Sequence, residues 1–486
     1  MLLNLCGHDF HYECENLCRV FYPNDSVQIV YDRDDPAALT SRMETVDGGF
    51  RLCASMDGAR EELFVPADAP RLAEAQELAA AKTIFLLLQK RTGYTPPWGM
   101  LTGVRPSKLM IALMRDMGER QAQDYFTETL LVQPDKTALA AAVARQEDKI
   151  LRASRPESYS LYLSVPFCPS RCSYCSFVSH SVSSPSARKL IEPYVELLLR
   201  EIELTGSIAR ELGLRLETVY IGGGTPTTLS AAQLTAVCDA LAAHFPLHAA
   251  REFTVEAGRP DTITRDKLDA LRAAGVSRIS INPQTLNDDV LAHIGRRHTA
   301  QDALDCFRMA REAGFDNINM DLIAGLETDT PDSFRSTLDG ILALAPENIT
   351  VHTLALKRSS RMVQEENALS RGGAAVAEML ADAQSRCTAS GYVPYYMYRQ
   401  SRCIGNFENV GWCRAEKECL YNVYMMEEVH TVLACGAGAV TKLREPHGPM
   451  IERVFNFKYP YEYIGRFDEL TARKDRIKSF YETYTY

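Results

Sequence analysis

The chain has no apolar run near the ~18 to 20 residues that a membrane helix requires, the best being the short IFLLL at 84–88, so no membrane span is expected. Its start, MLLNLCGHDF, lacks the basic flank and long apolar stretch of a secretory leader, so export is not expected and the chain reads as cytoplasmic. Basic side chains are not in excess: 53 stand against 63 acidic ones for a net charge of -10, which gives no overall pull toward nucleic acid or anionic membrane. Gly and Pro, at 28 and 23, are too few for a collagen-like or disordered chain. A length of 486 residues excludes a small scaffold dependent on staples and fits about three globular domains.

Cysteine, in contrast, is plentiful, with 14 residues. Stable disulfides are not expected in a reducing cytosol, so clustered cysteines there point to metal or redox chemistry. Cys6, Cys14, Cys18 and Cys53 lie near His8 and His11 but match no known ligand spacing, and read as buried thiols. The same reading holds for Cys238 and Cys306 on predicted helices, and for the loosely spaced Cys403, Cys413 and Cys419.

Residues 1–150 begin with strand-like runs, SVQIVYD and EELFVPA, and turn helical from about 70, which predicts an α+β N-terminal domain. TGVRPSK at 102–108 within it reads as a surface turn, with anion binding as the alternative. From 158 to 365 six strand-like runs alternate with helical patterns: 159–167, 217–222, 251–256, 276–284, 317–323 and 348–356. That alternation predicts an α/β fold with a parallel sheet, a partial (β/α)6 TIM-like barrel. Residues 370–486 open with a helix and continue through aromatic and Gly-rich pieces, which predicts a small mixed C-terminal domain.

Parity along the strands adds an independent sign. Thr254 and Glu256 share one face, as do Ser280, Asn282 and Gln284, and Asn317, Asn319 and Asp321, while Ile279, Ile281, Ile318, Met320 and Leu322 take the other. A polar face turned into a barrel implies an occupied cavity in place of a filled core.

Directly after the first barrel strand comes VPFCPSRCSYCSF, with Cys168, Cys172 and Cys175 in a C-x3-C-x2-C array. By composition alone this spacing would arise by accident in roughly 1% of such chains. A closed zinc site is the alternative, but it wants four ligands, and His180 is the nearest candidate for the fourth. Three thiolates on a short loop suit a cubane iron–sulfur cluster, with one iron left open to a small molecule. After the second strand comes Gly222-Gly223-Gly224-Thr225-Pro226, a tight turn that also lets backbone approach a ligand and offers a hydroxyl. Glu256, Gln284 and Asp321 lie toward the C-terminal mouth, where barrel enzymes place chemistry, and Arg296, beside Arg297 in HIGRRHT, adds a cation for a carboxylate.

The cysteine loop resembles that of the radical S-adenosylmethionine superfamily. YLSVPFCPSRCSYCSF, YIGGGTPTTL, INPQTLNDDVLAHIGRRHT and NMDLIAGLETDTPDSF together resemble the oxygen-independent coproporphyrinogen III oxidase family over about 158–460. The additional N-terminal domain with TGVRPSK, YYMYRQ and RVFNFKYPYEYI resembles the coproporphyrinogen dehydrogenase branch. The resemblance implies a radical SAM barrel with a [4Fe–4S] cluster on Cys168, Cys172 and Cys175. It implies S-adenosylmethionine held by Gly224, Thr225, Gln284, Arg296 and Asp321 and packed on by Tyr174. Tyr162, Gly223 and Glu256 match positions associated with a second S-adenosylmethionine. It further implies coproporphyrinogen III or a related tetrapyrrole as substrate, haem biosynthesis as the setting, and a reduced donor of the flavodoxin or ferredoxin type. Lys357, Arg358, Arg361, Arg399 and Arg402 are candidate partners for the propionates.

Two positions depart from the family's characterised oxidases, which have a further cysteine where this chain has Phe177 and a His where it has Ser164. A related branch without that cysteine binds haem as a chaperone. On that alternative His352 or His430 is the candidate axial ligand.

Overall fold

A computed structural model describes the chain apart from residues 34, 36, 178, 356–372, 401–402 and 485–486. The chain divides into two compact units. The first is formed by Met1–Ala141 and, later in the chain, Arg399–Glu408; the second by Ala142–Val363, Ala375–Tyr398 and Asn409–Tyr486.

In the first unit β1 (Leu2–Cys6), β2 (Gln28–Tyr31), β3 (Leu39–Val46), β4 (Gly49–Met56) and β5 (Ala59–Pro66) form a sheet in the order β2-β1-β3-β4-β5. Strand β1 runs parallel to β2 and β3, and β3-β4-β5 is an antiparallel meander. The apolar side chains Leu3 and Leu5 meet Leu17 from helix His11–Phe21 and Ile84, Phe85 and Leu88 from helix Leu72–Thr92. Burial of this face against two helices holds the α+β arrangement together.

Arg399, expected to meet a propionate, instead serves this unit. It is only 8% exposed, lies over the Trp98 ring, and donates to the backbone carbonyls of Leu101, Gly103 and Asn406. Nearby, Glu408 accepts from Lys136 Nζ at 2.6 Å and from Trp98 Nε1 at 2.8 Å, which ties the returning segment down. The other four expected propionate partners, Lys357, Arg358, Arg361 and Arg402, lie outside the described residues.

The second unit is built on β6 (Ser158–Val165), the short strands β7 (Phe167–Cys168) and β8 (His180–Ser181), β9 (Arg215–Gly223), β10 (Glu252–Gly258), β11 (Arg278–Ile281), β12 (Ile318–Ala324) and β13 (Asn348–Thr353). The six long ones are the six expected strands, all parallel, in the order β6-β9-β10-β11-β12-β13. Helices Ile191–Glu211, Ala231–His244, Arg265–Ala273, Ala300–Glu312 and Pro331–Leu344 connect them as the α/β alternation requires. Local sequence sets several helix starts. Ser230 with Gln233 and Thr299 with Asp302 form capping boxes, and Thr330 caps a helix whose first residue is Pro331.

Two expectations are corrected. Strand β11 stops at Ile281, short of the expected 284, because Pro283 has no N–H to give to a ladder. The expected C-terminal domain does not stand apart: Ala375–Tyr398 and Asn409–Tyr486 belong to the same unit as the six strands, and their strands extend that sheet at both edges. β14 (Val393–Arg399) and β15 (Glu408–Cys413) follow beyond β13, with β15 antiparallel to it. On the other side β16 (Thr431–Cys435) pairs parallel with β6, followed by the antiparallel β17 (Val440–Arg444) and β18 (Ile451–Phe455). Open edges of a buried sheet leave unpaired N–H and C=O groups, and these strands satisfy them.

The C-terminal helix Phe467–Tyr484 is locked onto helix Ile191–Glu211 by one buried carboxylate. Glu201 accepts from Lys474 Nζ at 2.8 Å, Tyr463 Oη at 2.7 Å, Asn456 Nδ2 at 2.8 Å and the Gly436 N–H at 2.7 Å. Removing one partner of a buried pair strands the other charge, at a cost of about 3 to 5 kcal/mol. Lys474→Met should lower stability by that order in denaturant unfolding, and the double change with Glu201→Gln should recover part of the loss.

Candidate active site

The cysteine loop leaves β6 and is fastened at two places. The N–H groups of Gly224 and Thr225 donate to the carbonyls of Val165 and Phe167 at 2.8 and 2.7 Å. On the other side the Ser173 N–H and the Ser170 hydroxyl donate to the carbonyls of Ile294 and Gly295 at 3.1 and 3.2 Å. The glycines are needed for this seating. A Cβ on Gly224 would lie 2.5 Å from the Phe167 carbonyl oxygen, and one on Gly223, whose φ is +105°, would lie 2.8 Å from Ser164 Oγ. The missing side chains, read from sequence as room for a ligand, thus first make room for the cysteine loop.

Cys168, Cys172 and Cys175 are all free thiols, with Cys172 the most buried. Burial raises the Cys168 thiol and pushes Cys175 up to about 11. A nearby cation, such as a metal ion, would favour the thiolate forms of these two. Among the described residues no three His, Cys, Asp or Glu side chains converge as a single ion requires, and His180 packs edge-on against Tyr459 and Tyr461. Thr225 Oγ1 donates to Cys168 Sγ at 3.5 Å.

The polar face expected from strand parity is a connected network inside the sheet. Asn319 donates to Ser280 Oγ at 3.2 Å and to Asp321 Oδ1 at 2.7 Å, and accepts from Thr350 at 2.9 Å. Asp321 Oδ2 lies 3.6 Å from His352 Nε2. Burial would raise the Asp321 carboxyl, but His352 and the hydrogen bonds from Asn319 and Thr350 together hold it below its ordinary value. Glu256 goes the other way. Burial pushes it up to about 7, against the opposing 2.5 Å hydrogen bond from Tyr220 and with help from the Asp321 charge. Two neighbouring carboxyls are thus set apart, one ionised and one poised near neutrality. Tyr162, Tyr220 and Tyr421 stack beside Glu256, with the Tyr220 and Tyr421 ring centroids 4.4 Å apart.

Gln284 lies past the end of β11 in a left-handed conformation, φ +71°, that residues other than glycine seldom adopt. Its backbone is fixed by bonds to Asp321 and Ile323, while its buried Oε1 has no hydrogen-bond partner. Arg296 donates to the Asn282 carbonyl at 2.6 Å and to Tyr174 Oη at 3.1 Å, leaving its buried Nε without a partner. A cavity of about 630 Å³ beside the loop is lined by Ser170, Arg171, Ser181, Ser183, Arg296 and Arg297 among others.

The structure therefore brings Thr225 to Cys168, Tyr174 to Arg296, Gln284 to Asp321, and Tyr162 with Glu256 around Tyr220. Sequence reasoning missed Tyr220 and Tyr421. Tyr220 sits in the apolar run of β9, and Tyr421 comes from a helix far along the chain, so neither carries a local pattern. Of the two candidate axial histidines, His430 has both ring nitrogens bound, to Ser154 Oγ at 2.8 Å and Ser160 Oγ at 2.9 Å, and burial lowers it to about 3. His352 faces Asp321 and Tyr398.

A family model described as the radical SAM superfamily matches residues 162–341. The chain is 34% identical to the oxygen-independent coproporphyrinogen-III oxidase-like protein HemZ of Bacillus subtilis (strain 168), over 96% of this chain and 95% of that protein. The haem chaperone HemW of the same organism is 37% identical over 41% of this chain and 51% of its own length. Among solved structures, the coproporphyrinogen III oxidase HemN from Escherichia coli, described as a radical SAM enzyme, is similar with a TM-score of 0.51 at 25% identity. That likeness covers 68% of this chain and 73% of HemN.

The raised Glu256 carboxyl has a signature in stability. The folded state holds its proton to higher pH than the unfolded chain, so the contribution is full below the ordinary value of 4.5 and is lost as pH rises through about 7. At about 1.4 kcal/mol per pKa unit this amounts to roughly 3 kcal/mol at most. Between these pH values the parent protein should lose stability relative to Glu256→Gln in denaturant unfolding; parallel curves would refute the assignment.

Proposed function

Because the chain belongs to the oxygen-independent coproporphyrinogen-III oxidase-like family of radical SAM proteins, we propose that it oxidatively decarboxylates propionate side chains of coproporphyrinogen III or a related tetrapyrrole. Superfamily members use a [4Fe–4S] cluster and S-adenosylmethionine, which together supply a 5′-deoxyadenosyl radical that abstracts hydrogen. The observation that carries the reading is the seating of a three-cysteine loop beside buried polar atoms that have no protein partner, Gln284 Oε1 and Arg296 Nε.

The residues present fit both groups. Cys168, Cys172 and Cys175 would hold the cluster, leaving one iron without a protein ligand. Gly224, Thr225, Gln284, Arg296 and Asp321 would hold S-adenosylmethionine, with Tyr174 packed on it. Gln284 and Arg296 each bring an unsatisfied buried atom that a polar ligand would satisfy. Tyr162, Gly223 and Glu256 would border a second such ligand, and Glu256, poised near neutrality, suits holding a proton there.

On the substrate, the β-carbon of a propionate would give its hydrogen atom to the 5′-deoxyadenosyl radical, the resulting carbon radical would pass one electron to an external one-electron acceptor, and the C–CO2 bond would break to release carbon dioxide and leave a vinyl group. Two such events convert coproporphyrinogen III into protoporphyrinogen IX. The sheet's task is to position that carbon and exclude water. A reduced flavodoxin or ferredoxin type of protein would supply electrons, and a cytoplasmic setting would keep the thiols reduced. No helix of the described residues is long and apolar enough to cross a membrane.

A haem-binding role is the second reading. The similarity to HemW favours it, as does Phe177, 66% exposed, at the position of the oxidases' further cysteine. His430, bound through both nitrogens, would not serve as its axial ligand.

The test is anaerobic reconstitution with iron and sulfide, then addition of reductant, S-adenosylmethionine and coproporphyrinogen III. Formation of 5′-deoxyadenosine and vinyl product is expected, and Cys172→Ala should lose the brown absorption together with both products. Stoichiometric haem binding without vinyl product would select the second reading.

A further inference from the structure

Arg259 follows β10 and precedes the short turn Pro260–Thr262. It is 4% exposed, and every nitrogen of its guanidinium is engaged. Nε and Nη2 grip the two oxygens of Asp261 at 3.0 and 3.1 Å, and Nη2 also donates to Ser170 Oγ at 3.1 Å. This fork fixes the plane of the guanidinium and turns Nη1 onto Cys172 Sγ at 3.4 Å. Cys168, by contrast, accepts from the neutral hydroxyl of Thr225. Arg296, another guanidinium in the neighbourhood, commits its terminal nitrogens to Asn282 and Tyr174.

We propose that Arg259 is a positioning residue for the iron–sulfur centre: its Nη1 hydrogen bond orients the Cys172 thiolate and raises the reduction potential of the cluster. The inference rests on reading Cys168, Cys172 and Cys175 as the cluster ligands. Reduction adds one negative charge to the cluster, and hydrogen bonds to its sulfurs favour that state. A guanidinium stays charged at every accessible pH, so the effect is constant, unlike that of a histidine in the same place. Asp261 both aims the donor and balances its charge, which makes a buried cation tolerable beside the loop.

The test is an EPR-monitored redox titration of the full-length reconstituted protein, with iron and sulfide content measured on the same samples. At a fixed potential Arg259→Leu should lower the ratio of reduced to oxidised cluster about tenfold, equivalent to about 59 mV for a one-electron couple. Arg259→Lys, which keeps the charge but not the fork, should recover part of the shift. A ratio in Arg259→Leu within twofold of the parent, at equal iron content, would overturn the proposal. The parent protein provides a test that no folding defect can obscure. With ¹⁵N-labelled arginine, pulsed EPR of the reduced cluster should detect coupling to an arginine nitrogen, and absence of coupling would overturn the proposal as well. Failure of the parent to bind iron and sulfide at all would instead overturn the reading of the three cysteines.

Discussion

The close approach of the cysteine loop to the turn at Gly222–Gly224 is the constraint on which the candidate site depends. Two backbone hydrogen bonds from Gly224 and Thr225 pull Val165 and Phe167 onto the turn, and at that distance the Phe167 carbonyl excludes any side chain at position 224. The loop is therefore a continuation of the β6–β9 pairing, fixed by the same hydrogen-bonding logic as the sheet. Its three thiols inherit the rigidity of two buried strands, which is what a centre assembled from separate cysteines requires. Ser170 and Ser173 complete the seating from the opposite side through Ile294 and Gly295, two residues before Arg296.

The interior behind the loop obeys a second constraint, that buried polar groups be satisfied. Most are. Asn319 links Ser280, Thr350 and Asp321 across three neighbouring strands, and Tyr220 meets Glu256. Among the exceptions are two at positions where a ligand is expected: Gln284 Oε1 and Arg296 Nε have no protein partner although both residues are buried. The strained backbone at Gln284 is over-determined by its bonds to Asp321 and Ile323, in keeping with the general concentration of strain at functional positions.

Much of this was legible in the sequence. The six parallel strands announced themselves by alternation with amphipathic helices, the polar interior by parity at Thr254, Glu256, Ser280, Asn319 and Asp321, and the candidate site by cysteine spacing. The signals that failed were of two kinds. Some depended on what the chain meets far away in sequence: Arg399 carries a charge that reads as a ligand for carboxylates, yet Nη1 donates to the backbone carbonyls of Leu101 and Gly103, about 300 positions earlier. His430 likewise reads as a candidate ligand until two serines near 154–160 take both nitrogens. Others depended on edges. Nothing in an apolar run such as TVLAC says whether a strand founds a new sheet or completes an old one, and β16 completes the barrel sheet at β6. Arg259 stands in a turn whose sequence, EAGRPD, carries no pattern for a hydrogen bond to a residue 87 positions away.

The central claim is that the buried polar interior beside the cysteine loop positions a tetrapyrrole propionate for removal of a β-hydrogen. Coproporphyrinogen III deuterated at the propionate β-carbons, incubated anaerobically with the reconstituted and reduced protein and S-adenosylmethionine, tests it most directly. The account predicts that the 5′-deoxyadenosine formed carries deuterium. Unlabelled 5′-deoxyadenosine, or none, would contradict it.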